Sequence, residues 1–147
     1  MTKLLPTLSF RAFVLFSLVL FTAGKISAQT CTHYIQLRDT YGDGWNGNAV
    51  SVSVNGATVL NNITLPSGLG PITFSFQASN GSTIRVWQTV FGSWVGECRT
   101  QIFNTSMVAL TGQLGITTGS PTSGGTTCAG QCPNLAPSAP TSVTSSV

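Results

Sequence analysis

The sequence predicts an all-β protein, an antiparallel β-sandwich or jelly roll, and three observations carry that prediction. After residue 28, short stretches alternate apolar and polar residues, and no stretch shows the spacing of an amphipathic helix. Asn-Gly dipeptides at 55–56 and 80–81 separate such stretches, and Asn-Gly is the strongest short-range signal for a β-hairpin. Turn residues recur at regular spacing, as is typical of sandwiches.

The alternating stretches predict about seven strands. The cleanest is AVSVSV at 49–54, where valines fall on one face and serines on the other. The segment 117–127 is rich in Gly, Ser and Thr and is predicted to be a loop. The predicted strands are 33–38, 49–54, 57–65, 72–78, 83–90, 98–103 and 107–110.

The two ends of the chain have compositions that differ from the predicted sandwich at 29–132. Residues 1–28 have a basic start, an apolar run at 13–21 and small residues before Gln29, which together predict a signal peptide. An uncleaved anchor is the alternative, but that run is shorter than the roughly 20 apolar residues that span a bilayer. Residues 133–147 are uncharged and rich in Pro, Ser and Thr, which predicts a disordered linker to further domains.

The charge balance changes once the signal peptide is set aside. The full chain has six Lys and Arg residues and three acids, but half of the basic residues lie before residue 29. The exported part is therefore near neutral, which argues against nucleic acid or an anionic membrane as a partner. We expect no membrane insertion after signal cleavage and a secreted or cell-surface location.

Four cysteines lie in the exported part, at positions 31, 98, 128 and 132. An even number of cysteines in an exported chain predicts two disulfides, with free thiols or a metal site as alternatives. Four cysteines allow three pairings, and spacing does not choose among them. The disulfide candidates are Cys31, Cys98, Cys128 and Cys132.

The loop at 39–48, DTYGDGWNGN, has the densest chemistry in the sequence. Asp39, Asp43 and Asn46 offer oxygen ligands at short spacing, and the glycines allow the loop to fold tightly. Glu97 is the only other acid of the exported part and would complete a Ca²⁺ site if the sandwich brings it alongside. The spacing is not that of an EF-hand, and the alternative is that Asp and Asn simply form turns.

The motif DTYGDGWNG at 39–47 resembles a module repeated in secreted multidomain proteins of Bacteroidetes-type bacteria and some protist surface proteins. The segment WQTVFGSWVGECRTQIFN, at 87–104, is similar to the second signature of that module. The resemblance covers roughly residues 31–128 and implies a CUB-like or jelly-roll sandwich. It also implies that Asp39, Asp43 and Glu97 are Ca²⁺ ligands and that the tail joins the module to later domains.

Several aromatic residues are candidates for a ligand-binding face, since flat rings stack on sugars. Tyr41, Trp45 and Trp94 are predicted to contact a ligand, although for Trp45 a place in the core is an equal alternative. Trp87 lies within a predicted strand and is expected in the core. His33 is expected to be a surface residue of the first strand.

These observations predict a non-catalytic module that is stabilised by Ca²⁺ and acts in adhesion or binding, with a glycan or a surface protein as candidate partner. An enzyme is not expected, because a single histidine and no exported lysine leave few groups to activate a nucleophile. The alternatives are a structural spacer without a ligand, or an accessory domain of a secreted hydrolase whose catalytic domain lies elsewhere.

Overall fold

A computed structural model describes residues 29–133, and within them the chain folds into two antiparallel four-stranded sheets that form a β-sandwich. The predicted fold class is therefore confirmed. The predicted signal peptide and all but the first residue of the predicted linker lie outside the described residues. The strands are β1 (Thr30–Asp39), β2 (Ala49–Val54), β3 (Ala57–Ile63), β4 (Ile72–Ser79), β5 (Thr83–Val90), β6 (Cys98–Phe103), β7 (Leu114–Gly115) and β8 (Thr126–Ala129).

The sheets have the orders β4-β1-β6-β7 and β3-β2-β5-β8, and one 3₁₀ turn (Val95–Glu97) precedes β6. Their inner faces share one apolar core, to which both sheets contribute fully buried side chains such as Ile35, Leu37, Val50 and Val52. No helix among residues 29–133 is long and apolar enough to cross a membrane.

The predicted hairpin at Asn55-Gly56 is confirmed. Both residues have positive φ, 51° and 84°, as a type I′ turn requires, and the turn joins β2 to β3. The predicted strand at 107–110 is wrong, because that segment makes only one isolated bridge, between Phe103 and Ala109. The predicted loop at 117–127 instead contains the start of β8, which completes the second sheet.

The segment 116–125 lies across the outer face of the second sheet. Ser53 donates a hydrogen bond to the carbonyl of Pro121 at 2.8 Å, and a side chain at Gly125 would collide with the backbone of Val86. Ser53 is consequently buried although it points away from the core. Ser51 is buried as well, and its hydroxyl donates to Oδ1 of Asn61 and accepts from the N–H of Asn62. Trp87 is buried too, but it pairs with Ser51 and so lies on this outer face, outside the apolar cluster between the sheets where it was expected.

One disulfide joins Cys31 to Cys132, with 5.6 Å between their Cα atoms. The expected second disulfide is wrong, since Cys98 and Cys128 are free thiols. Cys98 pairs with Asp39 at the end of β1, whereas Cys128 pairs with Ile84 near the β2–β3 hairpin, at the opposite end of the sandwich. A disulfide tolerates Cα separations only up to about 7 Å, so this topology keeps the two apart.

His33 is fully buried, and the expectation of a surface residue is wrong. Its position in β1 has the same parity as Ile35 and Leu37, so its ring faces the core, where it stacks on Phe76 with centroids 5.8 Å apart. The backbone N–H of Gln131 donates to its Nε2 at 3.0 Å. The buried ring thereby holds the segment that leads into the disulfide.

Candidate functional site

The register between β1 and β6 brings Glu97 to the loop at 39–48, which we call the acidic loop. Asp39, the last residue of β1, pairs with Cys98, the first residue of β6. The pairing continues one residue further, because the N–H of Thr40 donates to the carbonyl of Glu97 at 3.1 Å. Glu97 therefore lies beside the start of the loop although the two are far apart in the sequence.

The carboxylate of Asp39 organises the acidic loop from inside. Asp39 occupies an inward position of β1 and is only 4% exposed. Its Oδ2 accepts hydrogen bonds from the backbone N–H groups of Gly42, Asp43 and Gly44. Its Oδ1 is buried and has no hydrogen-bond partner among the described residues. A buried, unpartnered carboxylate oxygen is costly unless a cation compensates it.

Two contacts press the loop against the segment at 65–67. The N–H of Trp45 donates to the carbonyl of Leu65 at 2.9 Å. Gly44, with φ of 93°, lies so close that a Cβ atom would be 2.8 Å from the backbone of Ser67. Only glycine can adopt this φ and also let the two backbone segments come this close.

The ligand atoms of Asp39, Asp43 and Glu97 all lie within 4.8 Å of one another. Ca²⁺ binds oxygen at 2.3–2.6 Å, so two oxygens on one ion are at most about 5 Å apart, and the cluster has the required size. These three are all the acids of the chain. The pKa of Glu97 is raised by desolvation and by the negative charges of Asp39 and Asp43.

The thiol of Cys98 adjoins this cluster without adding charge to it. Burial, together with the negative charges of Asp39 and Glu97, raises its pKa to about 11. The thiol is therefore neutral at physiological pH and offers no thiolate ligand. The donor set consists of carboxylates.

Asn46, the fourth predicted ligand, lies beside the cluster and supports it. Its Nδ2 donates to Oδ1 of Asp43 at 3.0 Å and to the carbonyl of Gly44 at 3.3 Å. Since both acceptors are oxygens, the amide presents its nitrogen to Asp43. In this arrangement Asn46 orients a ligand and does not supply an oxygen.

Two of the three predicted ligand-binding aromatics lie at the cluster. Tyr41 and Trp94 are 76% and 69% exposed, and they line a cleft of about 340 Å³ together with Asp43 and Glu97. The ligand contact predicted for Trp45 is not possible here, because that ring is fully buried and its Nε1 donates to the carbonyl of Arg38 at 2.8 Å. Trp45 instead anchors the acidic loop in the core.

Sequence reasoning missed Asn48, which joins the acidic loop to the segment that carries Trp94. Asn48 is fully buried, its Nδ2 donates to the carbonyls of Trp45 and Ser93, and its Oδ1 accepts from Gln88 and the N–H of Gly92. A signal was present, since an amide directly before an apolar strand must satisfy its polar atoms inside the fold. Asn48 therefore positions both sides of the cleft.

Comparison with known proteins returned no match to a family model, a curated protein or a solved structure.

Proposed function

We propose that the chain is an extracellular, non-catalytic binding module stabilised by a divalent cation, with Ca²⁺ held by Asp39, Asp43 and Glu97. Two observations carry the proposal: all three acids converge on one point, and Oδ1 of the 4% exposed Asp39 is buried without a partner among the described residues. Without a cation, three carboxylates this close repel one another, whereas a divalent ion reduces the charge of the cluster to about −1.

The donor set favours Ca²⁺ among biological cations. Hard carboxylate oxygens suit Ca²⁺ and Mg²⁺, whereas Zn²⁺ favours histidine and cysteine ligands. Three carboxylates on two separate segments make an irregular, partly exposed site, which suits the flexible coordination of Ca²⁺ better than the strict octahedron of Mg²⁺. Extracellular modules bind Ca²⁺ with a Kd of about 10⁻⁴–10⁻³ M, which is adequate outside the cell.

The extracellular location is supported by the signal-like residues 1–28 and by the Cys31–Cys132 disulfide, because disulfides persist in oxidising compartments. A binding role is supported by the cleft, where exposed rings flank the carboxylates. The ion would connect the acidic loop, which carries Tyr41, to the turn that carries Trp94. It would thereby fix the two walls of the cleft relative to each other.

Thermal unfolding of the exported protein, with Ca²⁺ and with EDTA, tests the proposal. At about 10 mM Ca²⁺, this range of Kd gives a stabilisation of roughly 1.4–2.7 kcal/mol. That corresponds to a rise in Tm of several degrees for a domain of this size. If Tm is the same in Ca²⁺ and in EDTA, the proposed cation site is wrong, and a spacer without a ligand is favoured.

The matched variant is Asp43→Asn, which keeps the shape of an exposed side chain and its acceptor for Asn46. In EDTA, we expect this variant to be at least as stable as the wild type, because it removes a repelling charge. In Ca²⁺, it should lose most of the stabilisation. An equal response to Ca²⁺ in both proteins would contradict the assignment of Asp43.

A further inference from the structure

The cleft at the acidic cluster combines two different recognition elements. The exposed Asp43 and the half-buried Glu97 both line the cleft, so any coordination positions left open by these carboxylates face it. Tyr41, from the acidic loop, and Trp94, from the turn before Glu97, line the same cleft and expose most of their surface. A ligand in the cleft would therefore meet a cation and an aromatic face together.

Trp94 has a backbone conformation that core packing does not explain. Its φ and ψ are 56° and 35°, in the left-handed region, which is unfavourable for a residue with a Cβ atom. With 69% of its surface exposed, the side chain gains little from burial. The N–H of Glu97 donates to the carbonyl of Trp94 at 3.0 Å, so the same turn sets the position of the ring and of the cation ligand. Strain of this kind concentrates at functional sites.

The net charge of the cation site, once the cation is bound, limits which ligands can bind in the cleft. With a divalent cation bound, the site carries about −1, which disfavours carboxylates and phosphates. An ammonium group would fit the cluster only in place of the cation and would compete with it. A neutral pair of adjacent hydroxyls can add oxygens to Ca²⁺ without adding charge, and the C–H face of the same ring can stack on an aromatic side chain.

On the basis of the proposed cation site, we infer that the cleft binds a sugar ring, whose vicinal hydroxyls coordinate the cation while the ring packs on Trp94 and Tyr41. Recognition then depends on the cation and on an aromatic wall at the same time. The ligand class is a neutral glycan that presents an unsubstituted vicinal diol.

The first experiment is a glycan array in Ca²⁺ and in EDTA. The sugars that bind are then titrated as free methyl glycosides under the same two conditions. Trp94 is the one exposed tryptophan of three, because Trp45 and Trp87 are buried, so its fluorescence reports directly on the cleft. We expect a blue shift of the emission on sugar binding and loss of both signal and binding in EDTA.

Two variants provide the controls. Trp94→Gly suits the left-handed backbone, so it should keep the fold and the Ca²⁺-dependent rise in Tm, but it should weaken sugar binding at least about tenfold. Phe91→Ala removes another exposed ring, one that does not line the cleft, and should bind sugar as the wild type does.

The possible failures are distinguishable. If Ca²⁺ leaves Tm unchanged, the cation site itself is wrong. If Ca²⁺ raises Tm but no glycan binds, or binding persists in EDTA or in Trp94→Gly, the cation site stands and the sugar inference is overturned. Binding of a lysine-rich peptide that Ca²⁺ suppresses would identify an ammonium ligand and would also overturn it.

Discussion

Replacing Gly44 with alanine tests whether the acidic loop is set by its close contact with the segment at 65–67. The added Cβ would lie 2.8 Å from the Cα and N atoms of Ser67 and 2.9 Å from the carbonyl oxygen of Leu65. These are backbone atoms, so the clash is not relieved by a side-chain rotation. Gly68 is the matched control, because it also has positive φ, 76°, but a Cβ added there would meet nothing within 4 Å beyond its chain neighbours.

The magnitudes follow from two separate effects. A positive φ costs alanine about 1–2 kcal/mol at either position. Forcing extra volume into a packed contact adds about 1–3 kcal/mol, and this applies to Gly44→Ala alone. Alanine also restricts the unfolded chain more than glycine does, which offsets the destabilisation of both variants by about 0.4–1 kcal/mol. We therefore expect Gly44→Ala to be less stable than Gly68→Ala by about 1–3 kcal/mol.

Urea denaturation in EDTA measures this difference without any contribution from a bound cation. The midpoint should fall further for Gly44→Ala, while the slope of free energy against urea stays unchanged in both variants. In Ca²⁺, Gly44→Ala should also respond less, because a displaced Gly44 weakens the donors that hold Asp39. Equal midpoints for the two variants would refute the steric reasoning.

Three further predictions concern the core, the charge cluster and the disulfide. Trp45→Phe should lower the free energy of unfolding by about 2–4 kcal/mol, because it removes buried volume and the hydrogen bond to the Arg38 carbonyl; a loss under about 1 kcal/mol in urea denaturation would contradict this. The pKa of Glu97 is raised by desolvation and by the charges of Asp39 and Asp43, so in EDTA the wild type should lose stability relative to Glu97→Gln as pH rises through that pKa. A difference in Tm between the two proteins that stays constant with pH would contradict this. Reduction of Cys31–Cys132, which spans a sequence separation of 101, should cost about 4–5 kcal/mol and lower Tm, and dithiothreitol should have no such effect on the variant with both cysteines changed to alanine.

Local patterns in the sequence predict this fold well wherever the deciding contacts are themselves local. The Asn55-Gly56 turn needs only its own two residues in positive φ, and it forms as predicted. The alternation at 49–54 correctly places Val50 and Val52 in the core. Alternation also indicates an inward position for His33, because a period of two groups it with the inward residues of β1. The expectation of a surface position rested on residue type alone.

Contacts between distant segments are what local patterns do not contain. Ser53 faces away from the core, as alternation predicts, but the segment 116–125 buries it, and no local signal specifies that contact. The prediction of a second disulfide was wrong for the same reason, because the strand order places Cys98 and Cys128 at opposite ends of the sandwich. Trp45 could occupy the core only because the acidic loop folds back over the end of the sandwich, so that its indole reaches the carbonyl of Arg38.

If the proposed cation binds, the cation and a ligand in the cleft would assist each other. Asp39 holds the loop through Oδ2 whether or not an ion is bound, so the loop is largely ordered beforehand and binding costs little conformational entropy. The mutual repulsion of Asp43 and Glu97 acts between the two walls of the cleft, since one belongs to the loop of Tyr41 and the other to the turn of Trp94. A cation that removes this repulsion fixes the spacing of the walls, and by linkage a ligand that favours the same spacing must raise the affinity for the cation by the same factor.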